Sequence, residues 1–99
     1  MILQRKVKFA ECTCEIELDK YANGQIHIQL IDSLDGLRVT TVTKFEPKYI
    51  TPDDRYILVK NYAENKGILE ALEKENIVKR TGIKFQVGFA ELDEAVLLQ

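Results

Sequence analysis

The stretch Asn61-Tyr62-Ala63-Glu64-Asn65-Lys66-Gly67-Ile68-Leu69-Glu70-Ala71-Leu72-Glu73-Lys74-Glu75-Asn76 decides the fold. It is the only segment that reads as a full helix, and the segments on either side alternate as short strands. Ile68, Leu69, Ala71 and Leu72 form an apolar stripe at helical spacing, with Glu70, Glu73, Lys74 and Glu75 on the water side. Asn61 and Asn65 are both suitable N-caps. From Asn61, Glu64 falls where a capping box places its acid, and Gly67 then lies inside the helix at a cost of about 1 kcal/mol relative to Ala. From Asn65, Gly67 falls in the first turn, where the cost is smaller. Asn76 suits the left-handed position after the helix, with Leu72 and Ile77 as the hydrophobic pair of a Schellman stop. The spacing predicts a helix over about residues 62–76.

Upstream, alternation dominates. Val7 and Phe9 are apolar at odd positions, whereas Cys12, Cys14, Ile16 and Leu18 are apolar at even ones. The phase change near Ala10-Glu11 predicts either two separate strands or a single bent one. Tyr21-Ala22-Asn23-Gly24-Gln25 is a hairpin signal. A two-residue Asn23-Gly24 turn would set Leu18 opposite polar Gln29. A three-residue loop, Ala22-Asn23-Gly24, pairs Leu18 with Ile28 and Ile16 with Leu30, and Gly24 supplies its left-handed residue. The next strand is expected to turn Leu37, Val39, Thr41 and Phe45 inward after a type I′ turn at Asp35-Gly36.

Downstream of that strand, Thr51-Pro52-Asp53-Asp54 has the pattern of an N-cap, a Pro at the first helical position and an acid at the third, which predicts one helical turn. Tyr56-Ile57-Leu58-Val59 is apolar on both faces, as in an inner strand or one covered by the following helix. Beyond the helix, Ile83, Phe85, Val87 and Phe89 are expected to point inward. Gly88 suggests a bulge or a close approach of another backbone or a ligand. Ala95-Val96-Leu97-Leu98 reads as a short edge strand or a docked tail. The expected class is therefore α+β: a single domain over residues 1–99, with an antiparallel meander sheet of about five or six strands and one helix packed on one face.

Composition narrows the function classes. The chain has 99 residues, 45% hydrophobic and 30% charged, an ordinary globular balance. Fourteen basic against sixteen acidic residues give a net charge of −2, which argues against nucleic acid as a partner bound by phosphate neutralisation. Local clusters remain at Arg5, Lys6 and Lys8 and at Lys79, Arg80 and Lys84, read as solvated strand faces flanked by counter-charges. No apolar run approaches the ~20 residues of a membrane span, and the N-terminus lacks the features of a signal peptide. A cytoplasmic protein without a membrane partner is the expectation.

No cofactor, metal or catalytic constellation is expected. Cys12 and Cys14, at i and i+2 on a strand, would lie roughly 6.5–7 Å apart at Cα, at or beyond the reach of a disulfide. They point inward while His27, the only histidine, points outward opposite Asp19, so neither a zinc site nor a Cys–His pair converges. Asp53-Asp54 is the tidiest carboxylate pair for acid–base work, and is read first as favourable charge at a helix start. The polar cluster Asn61, Tyr62, Glu64, Asn65, Lys66 and Gly67 is the candidate binding site. There, backbone N–H groups at a helix start favour an anion, and Gly67 lets a partner come close; a side chain at an exposed Gly67 would cost little stability.

Three segments, Tyr21-Ala22-Asn23-Gly24, Lys60-Asn61-Tyr62-Ala63-Glu64-Asn65-Lys66-Gly67 and Val87-Gly88-Phe89, resemble a family of small bacterial and bacteriophage proteins known as a domain of unknown function, over roughly residues 16–90. The resemblance implies a setting of phages, plasmids and other mobile elements. It implies no activity and assigns no residue a role. Two functions follow as expectations: a small non-enzymatic interaction protein with a protein partner, such as a mobile-element accessory factor or an inhibitor of a host defence protein; or a binder of a small anion or nucleotide at residues 61–67. The two-faced apolar strand at 56–59 leaves room for a homodimer.

Overall fold

The computed structural model describes all residues, Met1–Gln99. Seven strands form two antiparallel sheets, and there is a single short helix. The first sheet has the order β1-β2-β3-β4, with β1 Ile2–Phe9, β2 Cys12–Lys20, β3 Ile26–Asp32 and β4 Arg38–Thr41. The second has the order β5-β7-β6, with β5 Tyr56–Val59, β6 Val78–Val87 and β7 Ala90–Leu97. Helix α1 is Ile68–Lys74, preceded by a 3-10 turn at Ala63–Asn65. The α+β class holds, but the one sheet of five or six strands is in fact two.

Residues 42–44 join the sheets. The Val42 N–H donates to Ile28 O on β3, while Lys44 N–H donates to Leu58 O and Lys60 N–H to Val42 O on the β5 side. Thr43 and Val59 form an isolated bridge between them. The outer edges of the joined sheets are then β1 and β6, and α1 packs against both. Ile68, Leu69 and Leu72 from α1 are fully buried with Ile16, Ile28 and Leu30 from the first sheet and Val59 and Ala95 from the second. Each of these side chains other than Ala95 contributes about 1.5–3 kcal/mol on burial.

The phase change at residues 10–11 is a two-residue turn. Ala10 and Glu11 both have left-handed backbones, φ 53° and 63°, and Phe9 pairs with Cys12 and Val7 with Cys14. Two separate strands form, and the turn keeps odd residues of β1 and even residues of β2 on one face. Left-handed L-residues cost roughly 1–2 kcal/mol each, and type I′ turns favour Asn-Gly for that reason. The double change Ala10→Asn, Glu11→Gly is expected to stabilise the fold by about 1 kcal/mol, raising Tm by roughly 4–8 °C in a thermal melt.

The hairpin at 21–25 has the expected register, with Ile16 opposite Leu30, Leu18 opposite Ile28 and Asp19 opposite His27. Gly24 is left-handed at φ 87°. The β3–β4 connection departs from expectation. Asp32 N–H bonds Leu37 O and Gly36 N–H bonds Asp32 O, closing a four-residue loop at Ser33–Gly36 in place of a two-residue turn. Ile31 pairs with Arg38 but Leu30 with Thr40, so a bulge shifts the register by one residue. That shift flips the parity of β4. Thr40 and Val42 turn inward, and Leu37 is 67% exposed and Phe45 37%.

The second sheet has apolar contacts on both faces. Ile57 and Val59 enter the main core, whereas Leu58 joins Tyr49 and Leu92 in a smaller cluster with Tyr56, Phe85 and Val87 packed against it. The two apolar faces of β5 are thus both covered within the chain, the second by Tyr49. The expected helical turn at 51–54 is absent: Asp53 Oδ1 accepts the Arg55 N–H at 2.7 Å, a side-chain turn that replaces it. The C-terminal segment is the central strand β7, neither an edge nor a tail.

Gly88-Phe89 is the β6–β7 hairpin turn, since Val87 pairs with Ala90. Gly88 has φ 59°, which suits the first central position of a type II′ turn. Phe89 is therefore on the tip, fully exposed, and Ile83 is 58% exposed beside the irregularity between Arg80 and Lys84. Only Phe85 and Val87 of the four residues expected inward pack on a core.

The helix is shorter than expected, because Gly67 at φ 90° starts it and the 3-10 turn precedes it. Its end is as expected: Asn76 is left-handed at φ 58°, and Ile77 N–H bonds Leu72 O and Asn76 N–H bonds Glu73 O, the two bonds of a Schellman stop. Arg80 locks α1 to β6, meeting Glu73 at 2.7 Å and Glu70 at 2.9 Å. Its guanidinium holds both carboxyls below the usual carboxylate range.

Candidate functional site

The six residues of the polar cluster separate into two roles. Asn61 caps α1 from six residues away: its Oδ1 accepts the N–H groups of Gly67 at 3.1 Å and Leu69 at 3.0 Å. Those donors are the ones an anion would need, and they are occupied from within. Asn65 is buried. Its Oδ1 accepts the Thr40 hydroxyl at 2.6 Å, and its Nδ2 donates to Thr41 O at 2.8 Å, tying the segment to β4. Gly67 has open space around it but a left-handed backbone. A leucine there is strained by φ alone, which corrects the expectation of a small cost.

Tyr62, Glu64 and Lys66 are exposed. Tyr62 and Asn61 line a groove of about 520 Å³ whose opposite side is the base and tip of the β6–β7 hairpin: Lys84, Phe89, Glu91 and Asp93. Lys84 Nζ donates to Asp93 Oδ1 at 2.6 Å and lies 3.6 Å from Glu91, so the charges along this wall are mutually paired. Glu64 and Lys66 do not line it. Phe89 is the residue that sequence reasoning misplaced. The signal that could have found it is Gly88, a glycine at the first position of a two-residue turn between apolar Val87 and Ala90.

The remaining candidates lie elsewhere. Cys14 is in the main core with Cys12 packed against it, and burial pushes both thiols up, away from the reactive thiolate. His27 is on the outer face, its ring 4.8 Å from that of Tyr21. Asp53 and Asp54 line a second groove, about 460 Å³, with Gln25, Tyr49 and Tyr56. Tyr49 is not free to act there, because its hydroxyl donates to buried Glu94 at 2.7 Å. Thr81 donates to the other Glu94 oxygen at 2.8 Å.

Burial, and then the Glu94 hydrogen bond, push the Tyr49 phenol well above its ordinary pKa of 10.0. The folded chain therefore keeps this proton at pH values where the unfolded chain loses it. Stability is full below pH 10 and falls above it, by up to about 1.4 kcal/mol per pH unit from this group. In urea melts at pH 9 and 11, Tyr49→Phe is expected to show a smaller loss than wild type by roughly that amount.

Together these features form an open groove between a capped helix start and an aromatic hairpin tip in an α+β chain. No protein-family model, curated protein or solved structure matches this chain. The resemblance to bacterial and phage proteins rests on its three short segments alone. No helix is long and apolar enough to cross a membrane.

Proposed function

We propose that this chain is a non-enzymatic interaction protein that docks a protein partner through Tyr62 and Phe89. The observation that supports this is the fully exposed Phe89 at the hairpin tip, which shares a groove with half-exposed Tyr62. Aromatic side chains on rigid supports carry much of the binding energy of protein interfaces. In the mobile-element setting that the resemblance implies, the partner is a host protein, and inhibition of a defence protein is the proposed outcome. Groove residues Asn61 and Asp93 hold their geometry through the α1 cap and the Lys84 pair, so the surface is preorganised.

The test is affinity capture from bacterial lysate with three baits in parallel: wild type, the double variant Tyr62→Ala/Phe89→Glu, and Leu34→Asp. Leu34 is 95% exposed on a different loop and serves as the control. A partner retained by wild type and Leu34→Asp, and then weakened roughly 100-fold by the double variant in titration of the purified proteins, supports the proposal. Retention of every captured protein by the double variant overturns it.

A further inference from the structure

The N-terminal basic cluster has a fate that its sequence does not show. Arg5 pairs with Glu75 at 3.8 Å, while Lys6 and Lys8 form no ion pair. They are exposed on β1, with Val7 between them buried at 2%, so they lie on the same face of the strand. The last residue of α1, Lys74, exposed and also without an ion pair, completes the arrangement. Lys6, Lys8 and Lys74 line one groove of about 440 Å³ between β1 and α1, with Thr13 and Glu75.

We propose that this groove binds a small ligand carrying two or more linked phosphates. Three lysines without ion pairs line it, and the carboxylate in its lining, Glu75, is held by Arg5. Glu15, across the ladder from Lys6, makes no ion pair and is not part of the lining. Counting Glu15 beside Lys6 and Arg5 beside Glu75, the local charge is thus about +2 in a chain of net charge −2. Charges more than about 8–10 Å away are screened at physiological salt, so the overall acidity does not cancel it.

The donor set suits a ligand of concentrated negative charge. Lysine binds an anion as a point charge with freely turning donors, without the planar fork by which arginine grips carboxylates and phosphates alike, so a compact, multiply charged anion gains more here than a single carboxylate. No arginine lines the groove, and the Thr13 hydroxyl adds a neutral donor. A volume of about 440 Å³ lies within the usual range of small-molecule sites. In the free protein the three like charges repel one another, and a multivalent anion relieves that repulsion as it binds. The groove shares no lining residue with the one holding Tyr62 and Phe89, so this site is independent of the protein-docking surface.

The experiment uses the full chain and sodium tripolyphosphate at constant ionic strength, with orthophosphate, ATP and a deoxythymidine oligonucleotide as parallel probes, read by thermal shift and calorimetry. Tripolyphosphate and ATP are expected to raise Tm, orthophosphate to do so weakly, and added NaCl to diminish each shift. Each single Lys→Gln change at positions 6, 8 and 74 is expected to weaken tripolyphosphate binding roughly tenfold. The triple variant is expected to lose the shift yet melt, without ligand, no lower than wild type, because repulsion has been removed. The control Lys20→Gln/Lys48→Gln/Lys79→Gln carries the same charge change at exposed positions outside the groove, and should keep the shift. Absence of a tripolyphosphate shift, or its persistence in the groove triple variant, overturns the proposal. So does an oligonucleotide that binds through the same lysines when tripolyphosphate does not, which would make the groove a nucleic-acid contact.

Discussion

Asn65→Ala is expected to lower the unfolding free energy by about 3 kcal/mol. The side chain is 2% exposed and holds two bonds that cross from the helix approach to β4. Removing it leaves the buried Thr40 hydroxyl and the partly buried Thr41 carbonyl without that partner, at about 1–3 kcal/mol for each group left unsatisfied. Part of the loss is recovered as the cavity relaxes or admits water. Asn65→Asp separates the two bonds. It keeps an acceptor for Thr40, loses the donor to Thr41 and buries a charge, so it should be no milder than the alanine change. Urea denaturation of both variants, each combined with Thr40→Val, gives the coupling energy directly. A loss below about 1 kcal/mol would show that the Asn65 bonds exchange freely with water.

Leu72→Ala is the second large effect, a loss of about 3 kcal/mol. Leu72 is fully buried in the main core, and its carbonyl accepts the Ile77 N–H at the helix stop. The backbone bond survives the substitution while the packing does not. Because α1 contacts both outer edge strands, a void under it loosens β1 and β6 together. Tm should fall by roughly 15 °C for a domain of this size, whereas Leu34→Ala, at 95% exposure, should stay within about 0.5 kcal/mol of wild type. Equal effects of the two changes would mean that the helix does not close the core.

The elements that were legible share a physical property: their instructions lie within a few adjacent residues. The three-residue loop at 22–24 follows from Gly24 and from the alternation on either side, and Ile16 and Leu18 meet Leu30 and Ile28 as that loop requires. The Schellman stop follows from Asn76 with Leu72 and Ile77, and both of its bonds form. Parity failed wherever one extra residue entered a ladder. The bulge opposite Leu30 sends Thr40 inward while Val39 stays packed against the core, and no residue between 33 and 40 announces it. The turn at Ala10-Glu11 was visible only as a phase change, because neither residue type favours the left-handed backbone it adopts.

For the candidate sites, sequence proximity and spatial proximity diverge. Asn61, Asn65 and Gly67 are neighbours in the chain, yet each is spent on a structural task, local for Asn61 and Gly67 and reaching to β4 for Asn65. Tyr62 meets Phe89 only because β6 and β7 fold back beside the helix start. Lys74 meets Lys6 and Lys8 only because α1 lies along the outer edge of the first sheet. By itself the sequence determined the α+β class, the hairpin at 21–25 and the way the helix ends, since backbone hydrogen bonds and side-chain spacing act over three to six residues. The tertiary structure alone decided which faces are buried and which distant charges and rings converge, since those depend on which neighbour a strand or helix packs against.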